Sequence, residues 1–152
     1  MAPIPVERPP RRVTLVLCTR ARSGHETVIG ALPPFDVVVP YWPETRSVVD
    51  GARRAHGVDV TVLRVLPAPP GTVPMGGAVT YLAEVPGPPD VPLTPWAGDP
   101  LAPDPLRQTW AVPGGPDGDL AWADEVLADR GMRRAGRADD SWSPRPIAAR
   151  LG

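Results

Sequence analysis

The side chains best suited to chemistry concentrate in one short segment, which runs from Glu44 to His56. Glu44 and Asp50 supply carboxylates, which can hold a hard divalent cation or act as a general base. Arg53 and Arg54 supply guanidinium groups, which bind phosphate or carboxylate through paired hydrogen-bond donors. The segment therefore has the residue types for phosphate chemistry. The alternative is that these arginines are ordinary solvated helix residues.

His56 and Glu84 extend this set of titratable groups. His56 lies near the end of a predicted helix, where a cation interacts favourably with the backbone carbonyls, so a structural role competes with catalysis. Glu84 lies in an apolar strand-like run, in which alternation places Leu82 and Glu84 on one face and Tyr81 on the other. A surface position is the alternative for Glu84. Four side chains are thus candidate acids, bases or ligands: Glu84, Glu44, Asp50 and His56.

Tryptophan is abundant for a chain with one Phe and two Tyr, since there are five Trp residues. Aromatic faces could stack on a base or another flat ring. Equally, they could cover a small core beneath proline-rich loops. Taken with the arginines, the candidate ligand-binding residues are Tyr41, Trp42, Arg53, Arg54 and Trp96.

The apolar pattern of the N-terminal half predicts the elements that position these groups. Val13–Cys18 is a nearly continuous apolar run with β-branched residues, as in a strand buried on both faces. Thr27–Leu32 is expected to return beside it as a hairpin, and Phe35–Val39 is a further short strand. A helix then begins after Thr45 and ends at Gly57, which suits a left-handed C-terminal cap.

The C-terminal half is predicted to contain a second hairpin and then a long loop. Val58–Leu66 and Ala78–Val85 form the two strands of the hairpin. Residues 86–118 are dominated by Pro, Gly and Asp, with a possible final strand at Leu106–Val112. A loop of this length in a compact domain is usually functional or partly mobile.

A late helix, capped by Asp117 or Asp119 and ending at Gly131, completes the predicted elements. Their order indicates one α+β domain. Arg8, Arg11 and Arg12 form a small basic arm, which we expect to be a solvated tail. The predicted division is a flexible N-terminal arm at 1–12, the folded domain at 13–131, and an Arg- and Pro-rich tail at 132–152.

Composition argues against several classes of protein. The net charge is -1, whereas general nucleic-acid binders usually carry a basic excess. No apolar run approaches the roughly 18 residues of a membrane helix, and the N-terminus lacks the apolar core of a signal peptide. Cys18 is the single cysteine, so it cannot form an internal disulfide, and we expect a small buried hydrophobe rather than a nucleophile. The expected location is cytoplasmic.

The segment from Glu44 to Leu66, ETRSVVDGARRAHGVDVTVLRVL, resembles the signature box of the Nudix family. That box has a loop, a helix with an Arg-Glu and a Glu-Glu pair, a Gly followed by an aliphatic residue, and then a strand. The similarity extends over residues 13–130 and implies a mixed β-sheet sandwiched by two or three helices, with long Pro- and Gly-rich loops. In the family, the helix carboxylates hold divalent metal ions against a diphosphate, because the ions offset charge that develops in phosphoryl transfer.

The metal-binding positions of the box depart from the family pattern. Gly57 and Val58 match the Gly-aliphatic pair, and Ala52 holds the small apolar position. The other positions differ: the Arg-Glu pair falls on Asp50 and Gly51, the Glu-Glu pair on Arg54 and Ala55, the opening glycine on Asp36 and the upstream glutamate on Trp42. An arginine in place of a ligand opposes a cation by about 4 kcal/mol at roughly 4 Å and an effective dielectric near 20. We therefore expect no metal and no cofactor, although Mg²⁺ or Mn²⁺ fits the family.

A second resemblance concerns the stretch Gly118–Glu125 and the later Ser141-Trp142-Ser143. These residues are similar to the N-terminal region of actinobacterial proteins that continue into an aminoglycoside-phosphotransferase-like kinase domain. The 152 residues contain no kinase lobe, so we expect no kinase activity from them.

Two classes of function follow from these patterns. The first is a non-catalytic Nudix-like domain that binds a small molecule, nucleotide-like, phosphorylated or aromatic, or a protein partner, in a cleft near Tyr41, Trp42, Arg54 and Glu84. The second is a diverged Nudix-type hydrolase, or an enzyme repurposed for small-molecule biosynthesis, without the usual metal site. The missing carboxylates favour the first. The expected partners include neither nucleic acid nor a membrane, and the oligomeric state is not predicted.

Overall fold

The structure, a computed structural model, describes residues 9–135. Within that range, five strands form one mixed sheet, and two α-helices and one 3₁₀ turn accompany it. The elements in chain order are β1 (Arg11–Arg20), β2 (Glu26–Ala31), β3 (Phe35–Val37), α1 (Arg46–His56), β4 (Thr61–Val65), β5 (Gly77–Glu84), the 3₁₀ turn (Thr109–Ala111) and α2 (Gly115–Asp129). The predicted α+β class and the mixed sheet are confirmed.

The sheet has the strand order β2-β1-β5-β4. Both predicted hairpins are present, because β1 pairs antiparallel with β2 and β4 pairs antiparallel with β5. The short β3 pairs with the first residues of β1, on the same side as β2. β1 and β5 run parallel in the centre, which explains why both are continuous apolar runs. Their C-terminal residues, Cys18 and Glu84, are register partners.

The sheet has two covered faces, which we call the helix face and the loop face. Residues that alternate along β1 and β5 divide between them. The helix face is buried beneath α1. It includes Val13, Leu15, Leu17, Val79, Tyr81 and Ala83, together with Val48, Val49 and Ala52 of the helix. The loop face has a smaller core of Val16, Cys18, Ala31, Leu63, Leu66 and Leu82, against which Leu101 of the long loop packs.

Helix α1 follows the sequence prediction closely. It begins after Thr45, and Val48, Val49 and Ala52 form its buried side. Gly57 ends it in the left-handed conformation with φ 67°, and its N–H donates to the carbonyl of Arg53 at 2.9 Å. The next residue, Val58, is buried in the helix-face core.

Two predicted elements are corrected after residue 86. The strand predicted at Leu106–Val112 is wrong, because these residues form a loop that ends in the 3₁₀ turn. Prolines on both sides of this run remove backbone donors that a sheet ladder needs. Helix α2 begins at Gly115, earlier than predicted, directly after Gly114 with φ 74°. No residue of α2 is fully buried.

The predicted arm is also corrected at its inner end. Strand β1 begins at Arg11, whose side chain is fully buried rather than solvated. Arg12 is exposed and forms an ion pair with Asp36 on β3. Arg8 and the tail residues 136–152, including Trp142, lie outside the described residues. No helix within the described range is long and apolar enough to cross a membrane.

Candidate functional site

The arginines of α1 lie on its solvent-facing side. Arg53 contacts Asp59 at 2.6 Å (Nε to Oδ1) and Asp50 at 3.8 Å (Nη1 to Oδ1). Arg46 lies 3.9 Å from the other oxygen of Asp50. All four side chains are exposed, so these pairs contribute little to stability. They place Asp50 between two arginines, where its carboxylate is already neutralised and cannot readily serve a metal ion.

Glu44 has a structural role at the start of the same helix. Its Oε1 accepts the backbone N–H of Ser47 at 2.9 Å, which satisfies one of the free donors of the first helical turn. Its Oε2 accepts a hydrogen bond from Nη2 of Arg11 at 2.9 Å. Both carboxylate oxygens are therefore engaged by the protein itself.

Arg11 is the centre of this network. Its Nε donates to the carbonyl of Val39 at 2.6 Å, and its Nη1 donates to the carbonyl of Glu44 at 2.7 Å and to the hydroxyl of Tyr81 at 2.8 Å. The Tyr81 hydroxyl in turn donates to the carbonyl of Trp42 at 2.9 Å. Burial raises the pKa of Tyr81, and the positive charge of Arg11 opposes that rise. The network fastens the segment between β3 and α1 to the sheet.

Trp42 is a core side chain rather than a residue at the mouth of a cleft. It is 5% exposed and packs with the helix-face core. Its indole N–H donates to the carbonyl of Gly76 at 2.9 Å, so even its polar atom has a partner within the fold. Of the predicted ligand-binding residues, Trp42 is the one that a ligand could not reach without displacing the loop above it.

Gly51, which holds the position of the glutamate in the family's Arg-Glu pair, has no room for a carboxylate side chain. A Cβ atom at Gly51 would lie 2.6 Å from Cε2 of Phe35 and 3.4 Å from Cγ2 of Val37. Helix α1 therefore approaches β3 so closely that a side chain at this position would require the ring of Phe35 to move. The packing of α1 against Phe35 and Val37 thus favours glycine over glutamate at this position of the box.

Glu84 lies on the opposite side of the sheet from α1. It follows Leu82 of the loop face by two residues, as the predicted alternation requires, and its Oε2 accepts the backbone N–H of Gly114 at 2.7 Å. The predicted cleft, which joined Glu84 with Arg54, is thus divided by the sheet. Glu84 instead holds the turn that leads into α2.

The remaining predicted residues lie on separate elements. Tyr41 is half-exposed and forms a β-bridge with Met75 of the loop before β5. Trp96 is 38% exposed in the long loop, two residues after Thr94, which bridges to β2. His56 contacts the carbonyl of Pro33 at 2.8 Å through Nε2 and the ring of Phe35 edge-on, with centroids 5.7 Å apart. These contacts give His56 a structural role.

The loop face holds a charged group that the sequence analysis did not single out. Arg64 of β4 donates from Nη1 to the carbonyl of Ala111 at 2.5 Å and from Nη2 to the carbonyl of Pro100. Nearby, Nη1 of Arg107 donates to the carbonyl of Ala102 at 2.6 Å. Burial lowers the pKa of Arg64, and the like charge of Arg107 lowers it further. Arg64 therefore holds the long loop onto the sheet, and Arg107 forms a contact within the loop.

Cys18 lies beneath the same loop. Burial, followed by the negative charges of Glu84 and Glu26, raises the pKa of its thiol to about 12. The thiol donates to the carbonyl of Ala83 at 3.5 Å. A neutral, buried thiol is a poor nucleophile, in agreement with a packing role.

In residues 9–135, no group of three or more His, Cys, Asp or Glu side chains is arranged to hold a metal ion. No family model, curated protein or solved structure matches this chain. The resemblance to the Nudix box therefore depends on the sequence pattern alone: a helix capped by Gly57, then Val58, then the strand β4.

Proposed function

We propose that this chain is a non-catalytic domain of Nudix-like fold that binds a phosphorylated or nucleotide-like small molecule. One observation supports the proposal above the others: each carboxylate that could serve the box chemistry is engaged within the fold. Glu44 is bonded to Arg11 and to the backbone of Ser47, and Asp50 lies between two arginines. Glu84 is bonded to the backbone of Gly114.

The geometry of these carboxylates also argues against metal-assisted hydrolysis. A two-metal or one-metal phosphoryl transfer needs several oxygen ligands around one position. Here Glu44 lies at the start of α1, Asp50 on the exposed side of that helix, and Glu84 on the loop face of the sheet. Side chains so distributed cannot converge on a single ion without rebuilding the fold.

Arginines supply the chemistry for binding without a metal. Guanidinium groups neutralise a phosphate and bind it through two parallel hydrogen bonds. Arginine is the only strongly basic residue type in the chain, and several arginines of the described range are exposed or only half-buried. A phosphorylated ligand held by arginine fits this inventory better than a metal-bridged diphosphate does.

The proposal is tested by a thermal-shift screen of the full chain against nucleotides, nucleotide sugars and sugar phosphates, each with and without Mg²⁺ or Mn²⁺. A ligand at about 100 times its dissociation constant is expected to stabilise the protein by about 2.7 kcal/mol, which raises Tm by roughly 5–10 °C. The expected shift is the same with and without metal.

The same ligands are then incubated with the protein and metal, and released phosphate and nucleoside monophosphate are measured. Turnover above the protein-free blank, or a Tm shift that requires metal, would overturn the proposal in favour of a diverged hydrolase. A screen in which no compound shifts Tm would also overturn it, and a protein partner would become the better interpretation.

A further inference from the structure

Arg64 and Arg107 lack a bonded counter-charge on the loop face. Arg64 donates to the carbonyls of Ala111 and Pro100, and Arg107 donates to the carbonyl of Ala102. Among residues 9–135, neither guanidinium forms an ion pair with a carboxylate. Both residues are half-buried, so water screens their charges less than it screens those on the outer side of α1.

Arg64 and Arg107 are both bonded to the same stretch of the long loop. Their acceptors, the carbonyls of Pro100 and Ala102, are only two residues apart in the same loop. The charge of Arg107 acts directly on Arg64 and lowers its pKa. Like charges that act on each other are unfavourable in the free protein, and an anion that contacts both would offset that repulsion.

Most of the donors of these two arginines have no bonded acceptor among the described residues. A guanidinium has five N–H groups in a planar fork. Among the described residues, Arg64 uses two of its donors and Arg107 uses one. The remaining donors suit an oxyanion with several acceptor oxygens, such as a phosphate group.

Two carboxylates near the pair limit how much negative charge it accepts. Asp104 and Glu26 both act on Arg64 and favour its charged form. Asp104 is already partly engaged, because its Oδ1 accepts the backbone N–H of Leu106 at 2.9 Å. Glu26 begins β2, and its backbone register partner on β1 is the exposed Arg20. We therefore expect a site for one phosphate group rather than for a highly charged polyanion.

We infer that Arg64 and Arg107 form the phosphate-binding subsite of this domain, on the loop face of the sheet and not on the box helix α1. The inference rests on the proposed function, since it names the group that would hold the phosphate of the bound small molecule. The long loop would then contribute to the binding site, because it carries Arg107 and is bonded to Arg64.

The test measures the binding of inorganic phosphate to the full chain by titration calorimetry, with chloride at matched ionic strength as the reference. Arg107→Gln is compared with Arg54→Gln, which removes the same charge from the exposed side of α1. We expect Arg107→Gln to weaken phosphate binding by about tenfold or more, because one charge-assisted pair of hydrogen bonds is lost. Arg54→Gln is expected to bind like the wild type.

Asp104→Asn provides a gain-of-binding test that does not depend on removing an arginine. The amide oxygen can still accept the Leu106 N–H, while the negative charge that competes with phosphate is removed. We expect several-fold tighter phosphate binding in this variant. Asp50→Asn, which removes a carboxylate from α1, is the matched variant and is expected to have no effect.

Loss of binding in Arg54→Gln with retention in Arg107→Gln would overturn the inference. Phosphate binding no stronger than that of chloride would overturn it as well. These outcomes differ from a failure of the proposed function. If a phosphate-free compound binds and inorganic phosphate does not, the subsite is wrong and the binding domain stands. If phosphate binds through Arg107 and metal-dependent turnover also occurs, the subsite stands and the non-catalytic proposal is wrong.

Discussion

The helix face and the loop face of the sheet are each fastened to their covering segment by an arginine, but the two arginines are compensated in different ways. Arg11, beneath the segment that leads into α1, is fully buried and has a carboxylate and a hydroxyl among its acceptors. Arg64, beneath the long loop, is half-buried and donates to backbone carbonyls. The nitrogens of Arg11 all donate within the fold, whereas several N–H groups of Arg64 have no bonded acceptor among the described residues.

Under the proposed phosphate subsite, this difference separates a structural charge from a ligand-binding one. A buried charge is tolerated when it is paired and its donors are satisfied, and it then adds definition to the fold rather than a binding site. A partly desolvated charge without a bonded counter-ion is strained in the free protein, and perturbed groups of this kind cluster at functional sites. Charge compensation, more than residue type, therefore distinguishes Arg11 from Arg64.

The largest effect is expected from Arg11→Met. The substitution keeps the aliphatic volume but leaves the Glu44 carboxylate, the Tyr81 hydroxyl and two backbone carbonyls without their donor. Breaking one partner of a buried pair costs about 3–5 kcal/mol, which we expect as the loss in free energy of unfolding. Urea unfolding followed by circular dichroism measures it. Arg12→Met, which removes the exposed partner of Asp36 on the same strand, is the control and should cost less than about 1 kcal/mol.

Arg64→Met is expected to have a smaller effect, about 1–3 kcal/mol, because two carbonyls lose a donor but water can reach a half-buried site. The change should be local. Limited proteolysis should show faster cleavage within residues 86–112 in this variant, while cleavage elsewhere stays at the wild-type rate. A destabilisation equal to that of Arg11→Met would show that the two arginines are equivalent and would remove the basis of the comparison.

A third prediction contrasts glycines of the two helices. Gly51→Ala in α1 places a Cβ 2.6 Å from the ring of Phe35, and overpacking of this kind costs about 1–3 kcal/mol. The better helix propensity of alanine returns about 1 kcal/mol of that cost. Gly118→Ala in α2 meets no atom within 4 Å and should stabilise the protein by up to about 1 kcal/mol. Thermal unfolding of both variants measures these opposite signs, and stabilisation by Gly51→Ala would show that α1 packs less tightly than described.

Much of the helix face could be predicted from the sequence, because its signals are local. The apolar run of Val13–Cys18, the helix from Thr45 to Gly57 and the hairpin of β4 and β5 each depend on periodicity or on a cap within a few residues. The α+β class followed from their order. The alternation of Tyr81 and Leu82 between the two faces was also predicted correctly.

The burial of Arg11 was not predictable in the same way. An arginine beside prolines and other arginines is typical of a solvated arm. Its acceptors on Val39, Glu44 and Tyr81 are distant in the chain, so only the tertiary fold brings them to it. Trp42 is a similar case, since its indole partner, Gly76, lies in the loop before β5.

The face on which Arg64 lies could not be predicted, because the strand β4 contains a β-bulge. Simple alternation places Arg64 on the same face as Val62, which is the helix face. The strand register shifts between these two residues, and Arg64 becomes the partner of Leu82 on the loop face. A β-bulge of this kind re-aims a side chain without leaving a clear mark in the sequence. The charged group of the loop face was therefore missed, although its neighbours Leu63 and Leu66 read as a strand.

The smallest expected effect concerns Cys18, which reports on how well the loop face is closed. Its pKa is raised from 9.0 to about 12 in the folded protein. Between these values the unfolded chain releases the proton and the folded chain keeps it, so folding stability falls as pH rises above 9. The contribution approaches about 1.4 kcal/mol for each pH unit in this window. Below pH 9 it vanishes, because the thiol is protonated in both states.

The measurement is the free energy of unfolding at pH 8 and pH 10 for the wild type and for Cys18→Ala. The wild type should lose about 1.4 kcal/mol more than the variant over this interval. The difference between the two proteins cancels the contribution of Tyr81, whose raised pKa acts in the same direction in both. Equal losses would mean that water reaches the thiol in the folded state. In that event the loop bonded to Arg64 opens readily, and the loop face is less stable to local opening than the segment bonded to Arg11.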